Sequence, residues 1–369
     1  MSRTRPAKAL DYAPQDPPAH GASVEFMPGL QWLRLPVPGY LDHINLWLVA
    51  DRREGWWLVD TGLGIPAVQA AWEPLLERFG LQRQLRGILV THHHPDHFGL
   101  AAWLAERCGV EVAMSAATRA AGERGFLNLL RERVPAFGAH WGVDYPPLLV
   151  EAGVRGGGVA NVVMGLPPPG PVLAEGDRHE GSQWALEVTL HDGHAEGHAC
   201  LHSREAGLLF AGDELLPNIS SNVSLYPQGG LDDPLGGHLR SLQRLRTLPA
   251  DTWILPAHGR PFRGPAARLD QLAIEHDARL GEVLEFTGEP RTAVAIADQL
   301  FGHRRLQGMN LLLAMGETLA HLRYLEGTGA LLRLPMRADA SAGARADGLL
   351  SRFGAPEHAP RFIRADRSA

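Results

Sequence analysis

Four candidate metal ligands lie in one short stretch of this chain. Residues 91–97 read Thr-His-His-His-Pro-Asp-His. In an extended or looping backbone, residues two apart point the same way, so His92 and His94 can grip one metal ion. Asp96 and His97 come from the following bend and can face a second ion. Imidazole and carboxylate groups suit zinc, manganese or iron, so the stretch predicts a metal site.

Three more candidate ligands lie further along the chain. His194, Asp213 and His258 each come within a few residues of the end of an apolar, strand-like run. These runs cover residues 184–190, 208–211 and 253–255. The stretch 91–97 follows a similar run, residues 87–90. In layered α/β folds, ligands collect at strand ends, where loops emerge from one edge of the sheets. The pattern therefore predicts that all these side chains meet at one edge.

The elements that must position these side chains alternate between strands and helices. The predicted elements are, in order, strands over 44–49 and 56–59, a helix over 66–79, a strand over 87–90, a helix over 100–107 and a strand over 110–114. The first two strands are separated by a short polar turn and predict a hairpin. The later order of strand, helix and strand predicts a layered α/β fold.

Composition changes along the chain and predicts its division into segments. Residues 1–23 are rich in Pro and Ala and predict a flexible N-terminal arm. Residues 24–263 carry the candidate ligands and predict the main domain. Within it, the Pro/Gly-rich stretch 116–170 predicts an insertion, either a lid over the site or an excursion without a role. Residues 264–335 predict three helices and a short strand, and residues 336–369 predict a disordered tail.

The run Thr-His-x-His-x-Asp-His after an apolar strand resembles the signature of the metallo-β-lactamase-fold hydrolase superfamily. Four further landmarks are similar to those of the family and come in the same order. They are Asp60-Thr61-Gly62, Gly193-His194-Ala195-Glu196-Gly197-His198, Phe210-Ala211-Gly212-Asp213 and Leu255-Pro256-Ala257-His258-Gly259. The C-terminal segment resembles the appendage of the hydroxyacylglutathione-hydrolase-like (glyoxalase-II-like) and lactamase-like branch. The resemblance implies a four-layer αββα sandwich with a small helical, winged-helix-like C-terminal domain.

The same resemblance implies a centre with two divalent metal ions, zinc by preference, with iron or manganese as alternatives. It implies that His92, His94 and His194 hold the first ion, that Asp96, His97 and His258 hold the second, and that Asp213 bridges both. A hydroxide that also bridges the ions would attack the substrate, so no protein nucleophile would be needed. Asp96 would help to orient the attacking water, which makes Asp96 and Asp213 the candidate catalytic side chains.

Four other side chains are candidates for supporting or substrate-contacting roles. Asp60 is expected to orient a ligand histidine or to fix its own turn. His198 is expected to lie behind a ligand histidine, because metal-bound histidines are themselves held by such neighbours, or simply to pack. Ser221 and Asn222 follow Asp213 in the chain and either contact the substrate or form a plain turn.

The composition disfavours several kinds of partner. The chain has 369 residues and a formal net charge of −6, and it lacks a stripe of basic and aromatic residues, so nucleic-acid binding is not expected. The N-terminus lacks the apolar core of a signal peptide, and no run of ~18 apolar residues predicts a membrane span. With only two cysteines, a cytoplasmic location is expected. Whether the chain forms a homodimer is left open.

The preferred function is hydrolysis of a small acyl thioester, ester or lactone. The glyoxalase-II-like resemblance and the apolar residues of the insertion support this substrate class. Antibiotic hydrolysis is disfavoured because Asp213 stands at the bridging place, and oxygen reduction because His94 stands where that branch of the family has Glu. Two alternatives stay open: a metal-dependent endoribonuclease or phosphodiesterase, and a non-catalytic metal-binding regulatory protein. The acidic net charge disfavours the first, and the intact ligand set disfavours the second.

Overall fold

A computed structural model describes residues 10–39, 41–124, 126–152, 162–227, 230–304, 306–334, 353–354 and 359–365. The chain divides into two compact units, each assembled from separate segments. Unit 1 consists of Met1–Arg124, Val159–Ser221 and Ser241–Gln271, and unit 2 consists of Gly125–Gly158, Asn222–Arg240 and Leu272–Ala369.

The described chain contains both strands and helices, and the helices range from a single turn up to 22 residues. The strands are β1 (Asp11–Tyr12), β2 (Ala22–Met27), β3 (Leu30–Val37), β4 (Asp42–Ala50), β5 (Trp56–Val59), β6 (Leu85–Leu89), β7 (Val112–Ala113), β8 (Arg178–His179), β9 (Leu186–His191), β10 (His198–Ser203), β11 (Leu208–Gly212), β12 (Trp253–Pro256), β13 (Phe262–Arg263), β14 (Arg291–Thr292), β15 (Leu331–Leu334) and β16 (Arg361–Arg364). The helices are α1 (Pro66–Arg78), α2 (Leu81–Gln84), α3 (Pro95–Phe98), α4 (Ala101–Cys108), α5 (Ala116–Arg124), α6 (Phe126–Trp141), α7 (Tyr145–Glu151), α8 (Pro234–Leu245), α9 (Pro265–Phe286), α10 (Ala293–Phe301) and α11 (Met309–Gly327), with a 3-10 turn at Gly302–Arg304.

Unit 1 is built on two mixed β-sheets. The larger has the strand order β1-β13-β12-β11-β10-β9-β8, and the smaller has the order β2-β3-β4-β5-β6-β7. Strands β5, β6 and β7 run parallel to one another, and so do β11 and β12. The carboxyl ends of parallel strands lie at the same edge of a sheet, and this edge carries the loops that hold the candidate ligands.

Alternating side chains explain why the two sheets stack face to face. Successive residues of a strand point to opposite faces. Trp32 of β3 and Trp47 of β4 join the core between the sheets, whereas Leu33 and Leu46 pack on the other face with helices α1 and α4. Each fully buried aliphatic side chain contributes roughly 1.5–3 kcal/mol. On the outer face of the larger sheet, the Arg244 guanidinium of α8 donates to the Leu190 carbonyl of β9. The expected αββα layering is confirmed.

Unit 2 has its own core of helices and a small sheet with the order β14-β16-β15. Trp141 of α6 stacks on Phe362 of β16, with ring centroids 5.8 Å apart. Helix α10 begins where the Thr292 hydroxyl accepts a hydrogen bond from the Ala295 amide, as expected of a good N-cap residue. The winged-helix-like character of this region stays a prediction. None of the described helices is both long and apolar enough to cross a membrane.

Two segments that were predicted to be disordered contribute strands. In the arm 1–23, Asp11–Tyr12 forms β1 and pairs with β13, and the Ala13 amide donates to the Pro261 carbonyl. In the tail 336–369, Arg361–Arg364 forms β16 between two other strands. Both predictions relied on local composition, whereas these strands are stabilised by partners far away in the sequence. Residues 1–9, 335–352, 355–358 and 366–369 lie outside the described residues.

The division of the chain also differs from the consecutive domains 24–263 and 264–335. Unit 2 takes Gly125–Gly158 out of the predicted insertion 116–170, and it takes Asn222–Arg240 as well. Residues 153–161 of the insertion lie outside the described residues, and its role as a lid stays a prediction. Strand β10 was not predicted, because all six of its residues are buried and they show no alternation of polar and apolar side chains.

Candidate metal centre

Seven His and Asp side chains at one edge of unit 1 form two groups with a geometry that could hold metal ions. In the first group, His92 Nε2 lies 2.9 Å from His94 Nδ1 and 3.1 Å from His194 Nε2. Asp213 Oδ2 lies 3.3 Å from His194 Nε2. The first group therefore presents three imidazole nitrogens and one carboxylate oxygen.

The second group lies on the other side of the same aspartate. His258 Nε2 lies 3.2 Å from Asp96 Oδ2 and 3.4 Å from Asp213 Oδ1. His97 Nε2 lies 3.5 Å from Asp213 Oδ1 and 3.7 Å from Asp96 Oδ2. Asp213 thus turns one carboxylate oxygen towards each group, which is the arrangement expected of a bridging ligand.

The chemistry of the donor atoms fits divalent metal ions. His97 Nε2, His258 Nε2 and Asp213 Oδ1 are buried, and none of them has a hydrogen-bond partner within the described chain. Buried polar atoms normally have a partner, and these three face one another. Four ligands at ~2.0–2.1 Å around a tetrahedral ion are about 3.3–3.4 Å apart, close to the spacings of both groups.

Local structure explains how residues 91–97 serve both groups. Strand β6 ends at Leu89, and the chain then continues as a loop that bends at His93 and His94. Pro95 occupies the first position of the one-turn helix α3, where a proline costs no hydrogen bond. This turn carries Asp96 and His97 away from the side taken by His92. The two pairs of candidate ligands in this stretch therefore lie in different groups.

Asp60 holds His97 from behind. Its Oδ2 accepts a hydrogen bond of 2.7 Å from His97 Nδ1, and its Oδ1 accepts one of 2.8 Å from the Thr91 amide. Because a carboxylate can only accept, His97 carries its proton on Nδ1 and turns the lone pair of Nε2 towards the second group. Asp60 has φ 61°, a left-handed conformation that Asp tolerates better than most residues.

His198 lies behind the first group and belongs to neither group. Its ring stacks on His92, with centroids 4.7 Å apart, and its Nε2 accepts a hydrogen bond of 3.2 Å from the Asp213 amide. A Cβ atom at Gly212 would lie 2.6 Å from that Nε2, so this close approach requires glycine. Burial, above all, lowers the pKa of His198 to about 3. This neutral side chain therefore supports both His92 and the backbone of Asp213.

Ser221 and Asn222 fall in different compact units. The Ser221 hydroxyl donates to the Asp213 carbonyl and so braces the loop after β11. The Asn222 side chain donates to the Tyr226 hydroxyl and accepts from the Ser224 hydroxyl, both within unit 2. A contact of either residue with substrate stays a prediction.

The electrostatics of the two groups differ. Burial and the neighbouring histidines lower the pKa of His92 well below its ordinary value, and burial lowers that of His94 in the same way. Burial also disfavours charge on His97, but Asp60, Asp213 and Asp96 outweigh it and raise the pKa of His97 well above its ordinary value. His92 and His94 therefore favour the neutral form, whereas the carboxylates around His97 favour a positive charge there.

Three residues that were not predicted from the sequence hold the loops of the centre. Thr91 donates to both carboxylate oxygens of Asp60 through its hydroxyl. His43 and Asn45 of β4 make hydrogen bonds to the loop that carries His258. The position of Thr91 inside the motif was an available signal. No local signal marks the other two, because their partners lie more than 200 residues away in the sequence.

Two family profiles match this chain. The profile described as "Metallo-beta-lactamase superfamily" matches residues 39–258. The profile described as "Metallo-beta-lactamase-like, C-terminal domain" matches residues 280–340. Together they cover both the candidate metal centre and much of the C-terminal part of unit 2.

Individual relatives agree with these matches. A probable metallo-hydrolase from Bacillus subtilis is 27% identical over 306 residues, which cover 81% of this chain and 92% of the relative. A hydroxyacylglutathione hydrolase from Hahella chejuensis is 28% identical over 227 residues, which cover 61% of this chain and 64% of the relative. The crystal structure of a beta-lactamase domain protein from Burkholderia ambifaria is 35% identical, with a TM-score of 0.78 and coverage of 96% of this chain and 98% of that one.

Proposed function

Because the chain belongs to the metallo-beta-lactamase superfamily and gathers two groups of side chains that could hold metal ions, we propose that it is a dinuclear metal-dependent hydrolase. Its substrate is a small acyl thioester, ester or lactone. The observation that carries the dinuclear assignment is the carboxylate of Asp213, which turns one oxygen towards each group.

Each candidate ligand has a role in this proposal. The first ion would be held by His92, His94 and His194 and the second by Asp96, His97 and His258, with Asp213 as a ligand of both. Zinc is the preferred metal, because imidazole and carboxylate donors at these spacings suit it. Two bound ions would lower the pKa of a water molecule towards ~7 and polarise the scissile carbonyl group.

The protein's own residues keep the centre in shape during the reaction. Asp213 is fixed on both sides, since its amide donates to His198 and its carbonyl accepts from Ser221. The Asp96 side chain is mostly buried, at 14% exposure, and lies in the second group, a position from which its carboxylate can orient a water molecule and accept its proton. Rigid support of this kind is what a preorganised catalytic site needs.

The substrate class is supported by the relatives and by the charge. Several relatives, among them those from Hahella chejuensis and Rhodobacter capsulatus, are named hydroxyacylglutathione hydrolase, and that name describes thioester cleavage. The net charge of −6 makes a polyanionic RNA a poorer candidate. The carrier and the acyl group are left to experiment.

Thiol release tests this function. The purified protein, with its metal content measured per chain, is offered acyl-glutathione and acyl-CoA thioesters beside a single-stranded RNA. We expect free thiol from at least one thioester, abolished in Asp213→Ala and unchanged in Asp251→Ala, an exposed aspartate in the same unit. Cleavage of RNA without thiol release would replace the substrate class. Two bound metals with no activity on thioesters, esters, lactones or RNA would indicate a non-catalytic metal-binding protein.

A further inference from the structure

The loop Pro256–Gly259, here called the His258 loop, is tied to a strand of the opposite sheet by five hydrogen bonds. Three come from Asn45. Its main-chain amide donates to the Ala257 carbonyl at 2.7 Å, and its side-chain Nδ2 donates to the Pro256 and Gly259 carbonyls at 2.9 and 2.8 Å. Two involve His43, which accepts at its carbonyl from His258 Nδ1 at 2.7 Å and at its Nε2 from the Gly259 amide at 2.9 Å.

These bonds fix the direction in which His258 presents its free nitrogen. A carbonyl can only accept, so the bond to the His43 carbonyl places a proton on His258 Nδ1. The lone pair of Nε2 is then directed to Asp96 and Asp213, 3.2 and 3.4 Å away. The Gly259 amide can only donate, so His43 Nε2 is an acceptor, and it accepts from the Arg34 guanidinium as well, at 3.0 Å.

The side chain of Asn45 is itself held from the core. Its Oδ1 accepts a hydrogen bond of 2.9 Å from the indole N–H of Trp32, which can only donate. Trp32 is fully buried and stacks on Trp47, with an angle of 17° between the rings. The orientation of the amide follows, because only its NH₂ group can then face the two carbonyls. A chain of contacts therefore runs from the inter-sheet core to the His258 loop.

We propose that His43 and Asn45 are positioning residues for the second metal ion, acting through His258. This inference rests on the proposed function only in that it assumes two metal ions. Of the second group, Asp96 and His97 belong to one short turn, whereas His258 arrives from the other sheet and needs a separate restraint. Neither His43 nor Asn45 makes a hydrogen bond to His92, His94 or His194 within the described residues, so the first ion is not affected directly.

Metal affinity, measured one ion at a time, tests the proposal without reference to catalysis. Metal-free His43→Leu and Asn45→Leu are reloaded with Zn²⁺ or Co²⁺ against a competing chelator. We expect the second ion to bind up to about 10-fold more weakly, the lower end of the range for a removed partner of a ligand histidine, because the His43 carbonyl that accepts from His258 Nδ1 remains in both variants. The first ion should keep its affinity within about twofold. His97→Ala lacks a ligand of the second group, so the binding step that it weakens in the titration is the step of the second ion.

Conservative variants and a matched control separate positioning from general destabilisation. His43→Gln places an amide oxygen where His43 Nε2 accepted from the Gly259 amide. It should therefore bind the second ion almost as tightly as the wild type does, unlike His43→Leu. Asn45→Asp keeps the shape of the side chain, but that side chain cannot donate to the Pro256 and Gly259 carbonyls. It replaces Asn45→Leu in the test if the leucine variant does not fold. His202→Leu changes a buried histidine on β10, and it should bind both ions as the wild type does.

Two results would overturn the proposal: unchanged affinity for the second ion in folded His43→Leu and Asn45→Leu, or equal weakening of both ions together with a lower melting temperature of the metal-free protein. A failure of the proposed function would be recognised from measurements on the wild-type protein. A wild-type protein that binds fewer than two ions fails the dinuclear assignment before any variant is made, and a lack of thiol release leaves the metal measurement intact.

Discussion

Each compact unit buries a cluster of histidines, and the two clusters differ in what they can bind. The unit 1 cluster contains His92, His94 and His194. The unit 2 cluster contains His238, His276 and His321. Ring centroids are 4.5–4.9 Å apart in the first, whereas the adjacent pairs of the second are 5.3 and 5.9 Å apart. Among the described residues, groups with metal-binding geometry occur only in unit 1.

The nitrogens of the unit 1 cluster meet a carboxylate, and one ring of the unit 2 cluster is held within its own helix. In unit 1, Asp213 is in contact with the histidine nitrogens, and Asp60 fixes the tautomer of His97. In unit 2, His321 uses its Nδ1 to donate to the Glu317 carbonyl of the preceding helical turn, a contact that fixes the ring in its own helix. Proximity of histidines is therefore not enough for a metal site, since their lone pairs must also converge on one point.

The largest effect is expected from removing one histidine of the unit 1 cluster. His92→Ala should lose one metal ion per chain and at least about 1000-fold in kcat/KM, because several kcal/mol of transition-state stabilisation depend on the ions. The matched variant His238→Ala should keep the metal content of the wild type. Elemental analysis and thiol release measure both. Equal metal loss in the two variants would contradict the difference between the clusters.

Metal removal should destabilise the protein by a comparable amount. Ions present at about 1000 times their Kd stabilise the folded state by ~4 kcal/mol, which corresponds to a fall in Tm of roughly 10 °C on chelation for a unit of this size. Scanning calorimetry with and without chelator measures it. His321→Leu should show the same fall in Tm, while His92→Ala should show a smaller one. A Tm that does not respond to chelator would count against resident metal ions.

Acid sensitivity is the effect expected of His321 in the unit 2 cluster, in addition to that of the buried histidines of unit 1. Burial, above all, lowers the pKa of His321 to about 4, with Arg279 contributing in the same direction. The folded pKa lies below the unfolded value of 6.5, so the neutral ring's contribution to stability is present above pH 6.5 and is lost as pH falls towards 4. The loss is on the order of 3 kcal/mol.

Denaturant unfolding of metal-free protein at several pH values measures this effect. We expect His321→Leu to lose less stability than the wild type between pH 6.5 and 4. His303→Leu, which changes an exposed histidine of the same unit, should follow the wild-type curve. Parallel curves for the wild type and His321→Leu would show that protonation of His321 does not limit acid stability.

The sequence could predict much of the candidate centre because its parts are encoded locally. Residues 91–97 hold four candidate ligands in one stretch. His194, Asp213 and His258 each follow an apolar run, and the structure brings all seven side chains together at one sheet edge. Strands β6, β9, β11 and β12 and helices α1 and α4 were predicted for the same reason, since their apolar runs or periodicity are visible in a short window.

What the sequence could not predict depends on partners that are distant along the chain. Strand β1 exists because β13 offers it an edge, and β16 exists because β14 and β15 flank it. The support of His258 by Asn45 likewise joins residues that no local pattern relates. The unit 2 histidines come from segments 38 and 45 residues apart. The sequence therefore shows neither that they lie close together nor that they lack the geometry of a metal site.

The smallest effect is expected from changing the partner of a candidate ligand rather than the ligand itself. Asp60 uses separate oxygens to accept from His97 and from the Thr91 amide, whereas Asn has only one acceptor oxygen. Asn also tolerates the left-handed backbone of Asp60, so Asp60→Asn changes the hydrogen bonds without straining the turn. We expect it to weaken the second ion by about 10–100-fold and to spare the first. Chelator competition measures both ions, with Asp51→Asn in the preceding turn as the matched control. Equal weakening of both ions would mean that Asp60 maintains the whole edge of the sheets rather than the direction of His97 alone.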